Sequence, residues 1–218
     1  MTSSPYGRAA FRRVSEKQAL DQALALLRQG EVIALPTDTL YGVACDSLNE
    51  EAIARLYEVK GRPPQKAIPL LLSGERQMLE VTREVPNSVW EMAEQFWPGA
   101  LTIVLEAAPH LPSILTAGGN TVAVRLPDSR VVRVLAAGLG RPLAVTSANL
   151  SGHANCRNAE EVFEQLGASL PLILDGGTTP GEQASTVLDL TTSPPRLLRE
   201  GPVTREMLAP WLINNPNS

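Results

Sequence analysis

Two short patterns in this chain carry residues that suit anion chemistry. Lys60 and Arg62 flank Gly61 in "KGRP", and Ser147 and Asn149 flank Ala148 in "TSANLSG". Two cations around a glycine can hold phosphate oxygens, because glycine permits close backbone approach. The same pair also suits a helix C-terminus, where the dipole favours cations. Hydroxyls, an amide and turn N–H groups at 146–152 suit phosphate or carboxylate. They equally suit a turn whose Ser and Asn cap local backbone. Arg125 sits inside the apolar pattern "TVAVRLP". A buried Arg needs a carboxylate, either from the protein as a salt bridge or from an anionic ligand. Further along, "PGEQASTVLDL" brings Ser185 and Thr186, and "RLLREGP" brings Arg196 and Arg199, which also read as a hairpin with solvated charges.

These residues must be placed by elements that the hydrophobic pattern outlines. Ser15 and Gln18 form a capping-box pattern before a helix that stops at Gly30. "EVIAL" reads as a buried strand, and "PTDTLYGVACD" follows it. In that polar stretch Asp38 and Thr39 read as satisfying local backbone. Asn49 caps a helix through Ile53, Leu56 and Val59, which Pro63 and Pro64 end. Strands are predicted at "AIPLLL", "LTIVL", "TVAVRLP", "LAVT", "PLILD" and "STVLDL". Helices are predicted at "VPNSVWEMAEQF", at "SRVVRVLAAGL" with Asp128 as cap and Gly140 as stop, at "AEEVFEQL" capped by Asn158 with Glu161, and at "TREMLAPWL". Trp90, Met92 and Trp97 read as core. This irregular alternation points to an α/β layer with a mixed sheet. Residues 1–14 read as a flexible leader, 15–212 as one domain and 213–218 as a frayed tail.

The chain has 218 residues, 44% hydrophobic residues and a net charge of -4. That length can bury a sizeable core, and the mild acidity argues against a general nucleic-acid binder. Two cysteines, Cys45 and Cys156, fit a reducing cytoplasm. No apolar run has membrane-spanning length. There is no G-x-x-x-x-G-K-[ST] loop and no G-x-G-x-x-G fingerprint. The two histidines, His110 and His153, lie in no triad context, and His153 with Cys156 offers too few ligands for zinc. Asp38 and Asp46 are the remaining metal candidates, with Asp38 better read as a local backbone cap.

Taken together, the stretches "LPTDTLYGVACD", "LYEVKGRPPQKAIPLLL", "FWPGALTIVL", "TVAVRLPD", "PLAVTSANLSG", "STVLDL" and "LLREGPV" resemble the threonylcarbamoyl-AMP synthase family, the YrdC-like domain in its single-domain form. Each stretch alone is weak, while the ordered set is specific and covers nearly the whole chain after about residue 15. The resemblance implies a twisted, mixed open sheet flanked by helices around a deep, positively charged cavity. It implies an enzyme that makes threonylcarbamoyl-AMP and pyrophosphate from L-threonine, bicarbonate or CO2, and ATP. Mg²⁺ would enter with ATP, without dedicated protein ligands. The product would serve threonylcarbamoyladenosine modification of tRNA, which makes tRNA and downstream transfer proteins the further partners. It also implies roles. Lys60, Arg62, Ser147 and Asn149 would be catalytic and line the phosphate site. Thr121, Asn155 and Arg199 would contact the nucleotide. Thr37, Arg125 and Ser185 would contact threonine, Tyr41 and Gly42 would shape the wall, and Cys45 would pack. The loop 178–184 is a candidate lid. Competing readings are an RNA-binding or ribosome-maturation factor, a sugar-phosphate synthase of riboflavin biosynthesis, and a carbamoyl-transfer domain of a hydrogenase-maturation protein. The second would want acidic metal ligands and the third a longer, Cys-rich chain.

Overall fold

The computed structural model describes residues 9–212 apart from Lys17 and Pro64. Residues 1–8 of the expected leader, Pro64 of the expected helix stop, and the expected tail at 213–218 lie outside the described residues.

Ten strands form one mixed sheet: β1 (Ala10–Arg13), β2 (Ile33–Leu35), β3 (Gly42–Asp46), β4 (Leu70–Leu71), β5 (Leu101–Glu106), β6 (Thr121–Arg125), β7 (Leu143–Ser147), β8 (Leu172–Asp175), β9 (Thr186–Asp189) and β10 (Arg196–Arg199). Their spatial order is β1-β8-β2-β3-β7-β4-β6-β5-β9-β10. Pairs β1/β8, β2/β8, β4/β6 and β5/β9 are parallel, and the rest are antiparallel.

Helices cover both faces, and the side chains alternate accordingly. Ile33, Leu35, Ala44, Leu172 and Leu174 pack beneath α1 (Ala19–Arg28) and α5 (Arg130–Leu139). Ala34, Val43, Cys45 and Ile173 point the other way, into a larger core with α2 (Glu50–Lys60), α4 (Asn87–Phe96) and α6 (Ala159–Leu166), and Met78 and Val81 of the short α3 (Met78–Val81) join them. Cys45 is therefore a fully buried packing residue. Trp97 and Met92 belong to the same core, with Trp90 packed against it.

Helix ends follow side-chain chemistry. Asn49 accepts from the Ala52 N–H, and Glu50 and Glu51 favour the positive end of α2. The stop of α2 differs from expectation. Gly61, at φ 58°, ends the helix in the left-handed region before Pro63 acts. Ser129, not Asp128, caps α5 by accepting from Val132 N–H; Asp128 instead approaches Arg133 at 3.7 Å. Asn158 caps α6 with Glu161 as read from sequence, and Gly140 ends α5. Ser15 and Gln18 do not form a box. Gln18 precedes α1 without a side-chain cap. The last helix is a short α7 (Ala209–Leu212).

Two strands, β3 and β1, escape the sequence reading, while the short, edge-placed β10 pairs antiparallel with β9 as the hairpin reading of "PGEQASTVLDL" and "RLLREGP" has it. β3 lies inside the polar stretch after β2. β1 falls within the expected leader, where Ala10–Arg13 pair in parallel with Leu172–Asp175 and Phe11 meets Phe163 at 5.2 Å. Backbone pairing orders this segment despite its exposed arginines. No helix among the described residues is long and apolar enough to cross a membrane.

Candidate active site

One cavity of about 410 Å³ opens where the loop after β2, the start of β3, the end of β7, the end of β6, the start of β9 and the end of β10 converge. Register explains the convergence. Gly42 pairs with Ser147, and Leu71 of β4 pairs with Arg125, so one stretch of sheet carries both strand ends. A Cβ on Gly42 would lie 2.6 Å from Val145 Cγ1, so this wall needs glycine. Arg62, Arg125 and Arg199 line the cavity with Thr37, Tyr41, Ser147, Asn155 and Ser185, and no Asp or Glu is among the lining residues.

The Lys60 side of this wall departs from expectation. Lys60 is 3% exposed and its ammonium is turned into the protein. Nζ lies 2.6 Å from Ser147 O, 3.2 Å from Ser147 Oγ, and 2.9 Å from both Asn149 O and Asn149 Oδ1. An ammonium has three N–H donors, so these four acceptors exhaust it. Burial, reinforced by the Arg62 charge, pushes Lys60 down to about 8. Asn149 is equally committed: Oδ1 accepts from Lys60 and from Ser147 Oγ at 2.6 Å, while Nδ2 donates to Leu150 O and His153 O. Of the four residues expected on the phosphates, only Arg62 and Ser147 face the cavity. Lys60 and Asn149 stand behind Ser147 and fix it.

Arg62 is held by Nε to Lys66 O at 3.0 Å and Nη2 to Ala67 O at 2.9 Å. Nη1 is directed at Thr146 Oγ1, at 3.4 Å, and the guanidinium also bonds the Tyr57 hydroxyl.

The opposite wall centres on Arg125, which is 4% exposed. Nε donates to Gly99 O at 2.8 Å, Nη1 to Thr39 Oγ1 at 3.0 Å, and Nη2 to Asp38 Oδ1 in an ion pair. Burial lowers its pKa and the Asp38 charge opposes that. Asp38 was read as a local backbone cap; that work falls instead to Thr37. Thr37 Oγ1 accepts from Thr39 N–H and Leu40 N–H and donates to Leu40 O at 2.7 Å. Thr37 thus borders the cavity with its hydroxyl already engaged. Ser185 Oγ lies 2.8 Å from Thr102 Oγ1, and Arg199 donates to Ser185 O and Ser185 Oγ. Burial and the Arg125 charge both lower the Arg199 pKa. Asn155 is an exposed lining residue. Thr121 is not brought here. It begins β6 opposite Glu106, four positions from Arg125, roughly 13 Å along the strand.

Tyr41 ties the cavity to the 178–184 region: its hydroxyl donates to Gly177 O at 2.8 Å and accepts from Gly176 N–H. Thr179 N–H donates to Arg157 O, and Arg157 pairs with Glu182. Gly181 packs so closely that a Cβ would come within 2.6 Å of Thr39 Cα.

A family model for Sua5, YciO and YrdC, described as telomere recombination, matches residues 25–201. The chain belongs to this Sua5/YciO/YrdC family. Among family relatives, the Bacillus subtilis threonylcarbamoyl-AMP synthase is 39% identical over 188 residues, covering 86% of this chain and 54% of its own length. The Vibrio vulnificus threonylcarbamoyl-AMP synthase is 36% identical over 185 residues, covering 84% of this chain and 98% of its own. The crystal structure of P. abyssi Sua5 complexed with L-threonine superposes with a TM-score of 0.84 at 36% identity, over 89% of this chain and 57% of that one. The chain thus spans about half the length of the Bacillus and Pyrococcus relatives. Its mixed sheet and flanking helices are those of the Sua5/YciO/YrdC fold.

Sequence reasoning missed three residues of the family cavity here: Thr39, Thr102 and Asp38, the first two in the lining and the third paired to it. Thr102 carried a usable signal, being the hydroxyl inside the apolar strand "LTIVL". Asp38 carried none, since its partner lies 87 residues away.

Proposed function

We propose that the chain is an L-threonylcarbamoyladenylate synthase, a nucleotidyltransferase that joins L-threonine, bicarbonate or CO2, and ATP into threonylcarbamoyl-AMP and pyrophosphate. The observation that carries this is one cavity lined by three guanidinium groups and no carboxylate, in a fold shared with named synthases. Its volume suits small-molecule ligands.

Threonine's ammonium gives up a proton to solvent, and the neutral amine adds to CO2, releasing a second proton and leaving a carbamate. A carbamate oxygen then attacks the α-phosphorus of ATP, the bond to the β-phosphate bridging oxygen breaks, and pyrophosphate leaves. Such transfer needs positioning and charge neutralisation more than a side-chain nucleophile. Arg62 serves the phosphates, and Arg199 and Asn155 serve the nucleotide. Ser147 borders the phosphate site, its hydroxyl donating to Asn149 Oδ1 and accepting from Lys60, which keep it in place. Arg125 also keeps one uncommitted N–H on each Nη, which suits a substrate carboxylate. Ser185 and Thr37 complete the threonine side. Mg²⁺ enters as part of the ATP complex. The lining offers it hydroxyls and no carboxylate, so Mg²⁺ would be held mainly by ATP and would neutralise phosphate charge. The product passes to a downstream threonylcarbamoyl-transfer system acting on tRNA.

Pyrophosphate release by the purified protein is expected only when threonine, bicarbonate and ATP are all present, with the acyl adenylate seen by mass spectrometry. Release independent of threonine would refute the assignment. An RNA-binding factor would instead show salt-dependent RNA affinity and no pyrophosphate.

A further inference from the structure

We infer that Asp38 receives the ammonium group of the amino-acid substrate, so that Asp38 and Arg125 together clamp a zwitterion. This rests on the synthase reading above and adds a specificity-determining residue to it.

The starting point is a charge mismatch. An α-amino acid brings an ammonium and a carboxylate on one carbon. The cavity answers the carboxylate generously, with Arg62, Arg125 and Arg199 in its lining and Lys60 behind. It offers the ammonium no anion among the lining residues, and a desolvated cation beside guanidinium groups is unfavourable. Asp38 is the carboxylate that ion-pairs with a lining arginine. Its neighbours on both sides, Thr37 and Thr39, line the cavity. Its side chain keeps 12% exposure, more than the 5% of Arg125, which lines the cavity itself.

The pair is also half-open. Asp38 Oδ1 takes the Arg125 Nη2 contact, while Oδ2 makes no hydrogen bond to the described residues. Arg125 spends Nε on Gly99 O and one N–H of Nη1 on Thr39, leaving one N–H on each Nη. Fixed acceptors, Gly99 O and Thr39 Oγ1, hold the guanidinium without Asp38. The carboxylate is therefore not needed to orient Arg125. Side by side, Oδ2 and the two free N–H groups form adjacent anionic and cationic points. A ligand with one charge matches half of this arrangement, and an α-amino acid matches both halves.

The test uses two ligands on the full chain, measured by titration calorimetry with wild type and Asp38→Asn. L-Threonine carries both charges. 3-Hydroxybutanoate keeps the carboxylate and the hydroxyl but lacks the amine. Wild type is expected to prefer threonine at least tenfold. Asp38→Asn is expected to lose tenfold or more in threonine affinity and to bind 3-hydroxybutanoate equally well or more tightly, because Arg125 is freed of a competing carboxylate. Equal weakening for both ligands would mean that Asp38 only supports Arg125, and would overturn the clamp. Unchanged threonine affinity would overturn it as well. If the variant fails to fold, wild type alone decides, since binding both ligands with equal affinity excludes an ammonium receptor. A wild type that binds no threonine, with or without ATP, removes the synthase reading itself, and that result is distinct from threonine bound without preference for its amine.

Discussion

The two walls of the cavity use their cations in opposite ways. On the β7 side, Lys60 is buried and faces inward, saturated by Ser147 and Asn149. On the β6 side, Arg125 is as deeply buried, yet keeps two N–H groups for a ligand. The difference lies in side-chain chemistry. An ammonium is a compact point with three donors, which one turn of backbone can exhaust. A guanidinium has five donors in a planar fork, so three can be fixed by the protein while two remain. One cation therefore builds the wall and the other presents charge to the cavity.

Removing the wall-building cation should have the largest effect. Lys60→Ala removes the donor recorded for Asn149 O and one of two donors each from Ser147 O and Asn149 Oδ1, and a buried acceptor left unpaired costs about 1–3 kcal/mol. Pyrophosphate release should fall by roughly two or more orders of magnitude, because Ser147 loses its position. A lowered melting temperature should accompany the loss. Unchanged stability with lost turnover would place Lys60 on the substrate instead. Arg125→Lys breaks the other wall differently. A lysine offers three donors where the fork offers five, so the threonine KM should rise about tenfold or more with little change for ATP. A matching rise in both KM values would show that the two walls act as one site.

Acidity sharpens the contrast. Lys60 titrates near 8 in the folded protein against an ordinary 10.5. As pH rises through about 8 the ammonium becomes an amine with two donors, and the β7 wall loosens. Turnover should fall several-fold between pH 7 and 9. Arg125 keeps its charge over this range, so the carboxylate half of the threonine site should hold. The linkage has a definite sign. Between about 8 and 10.5 the unfolded chain holds the proton that the folded chain has released, so this group's contribution to stability rises with pH across that window. Below 8 the buried charge is a cost present in full. Urea midpoints of wild type against Lys60→Met, followed over pH 8 to 10, should show wild type gaining.

Much of this contrast was legible in the sequence, in unequal measure. Local chemistry read well: Asn49, Asn158, Gly30 and Gly140 punctuate helices through contacts within a few residues. The ordered motifs located Arg62, Arg125, Ser147, Ser185 and Arg199, which do converge. What failed was orientation. Whether Lys60 faces ligand or protein depends on the turn 87 residues away. Asp38 escaped for the same reason, since its partner is remote, while Thr37 lines the cavity with its hydroxyl bonded to adjacent residues. Thr121 begins β6, four residues from Arg125 and outside the cavity lining. β1 failed because an edge strand with exposed arginines lacks the apolar alternation that announces a strand.

The smallest effect is expected where both partners are solvated. Arg157 and Glu182 meet at 3.3 Å, with side chains 38% and 76% exposed, at the rim of the 178–184 segment. An exposed pair contributes about 0–1 kcal/mol and is screened by salt. The segment has stronger anchors. Tyr41 grips Gly176 and Gly177, Thr179 bonds Arg157 O, and Gly181 packs on the backbone at Thr39. Glu182→Gln should therefore change turnover by less than about twofold, and raising salt should shrink even that. A drop comparable to Arg125→Lys would mean that this ion pair, and not the packing beneath it, holds the segment over the β6 wall.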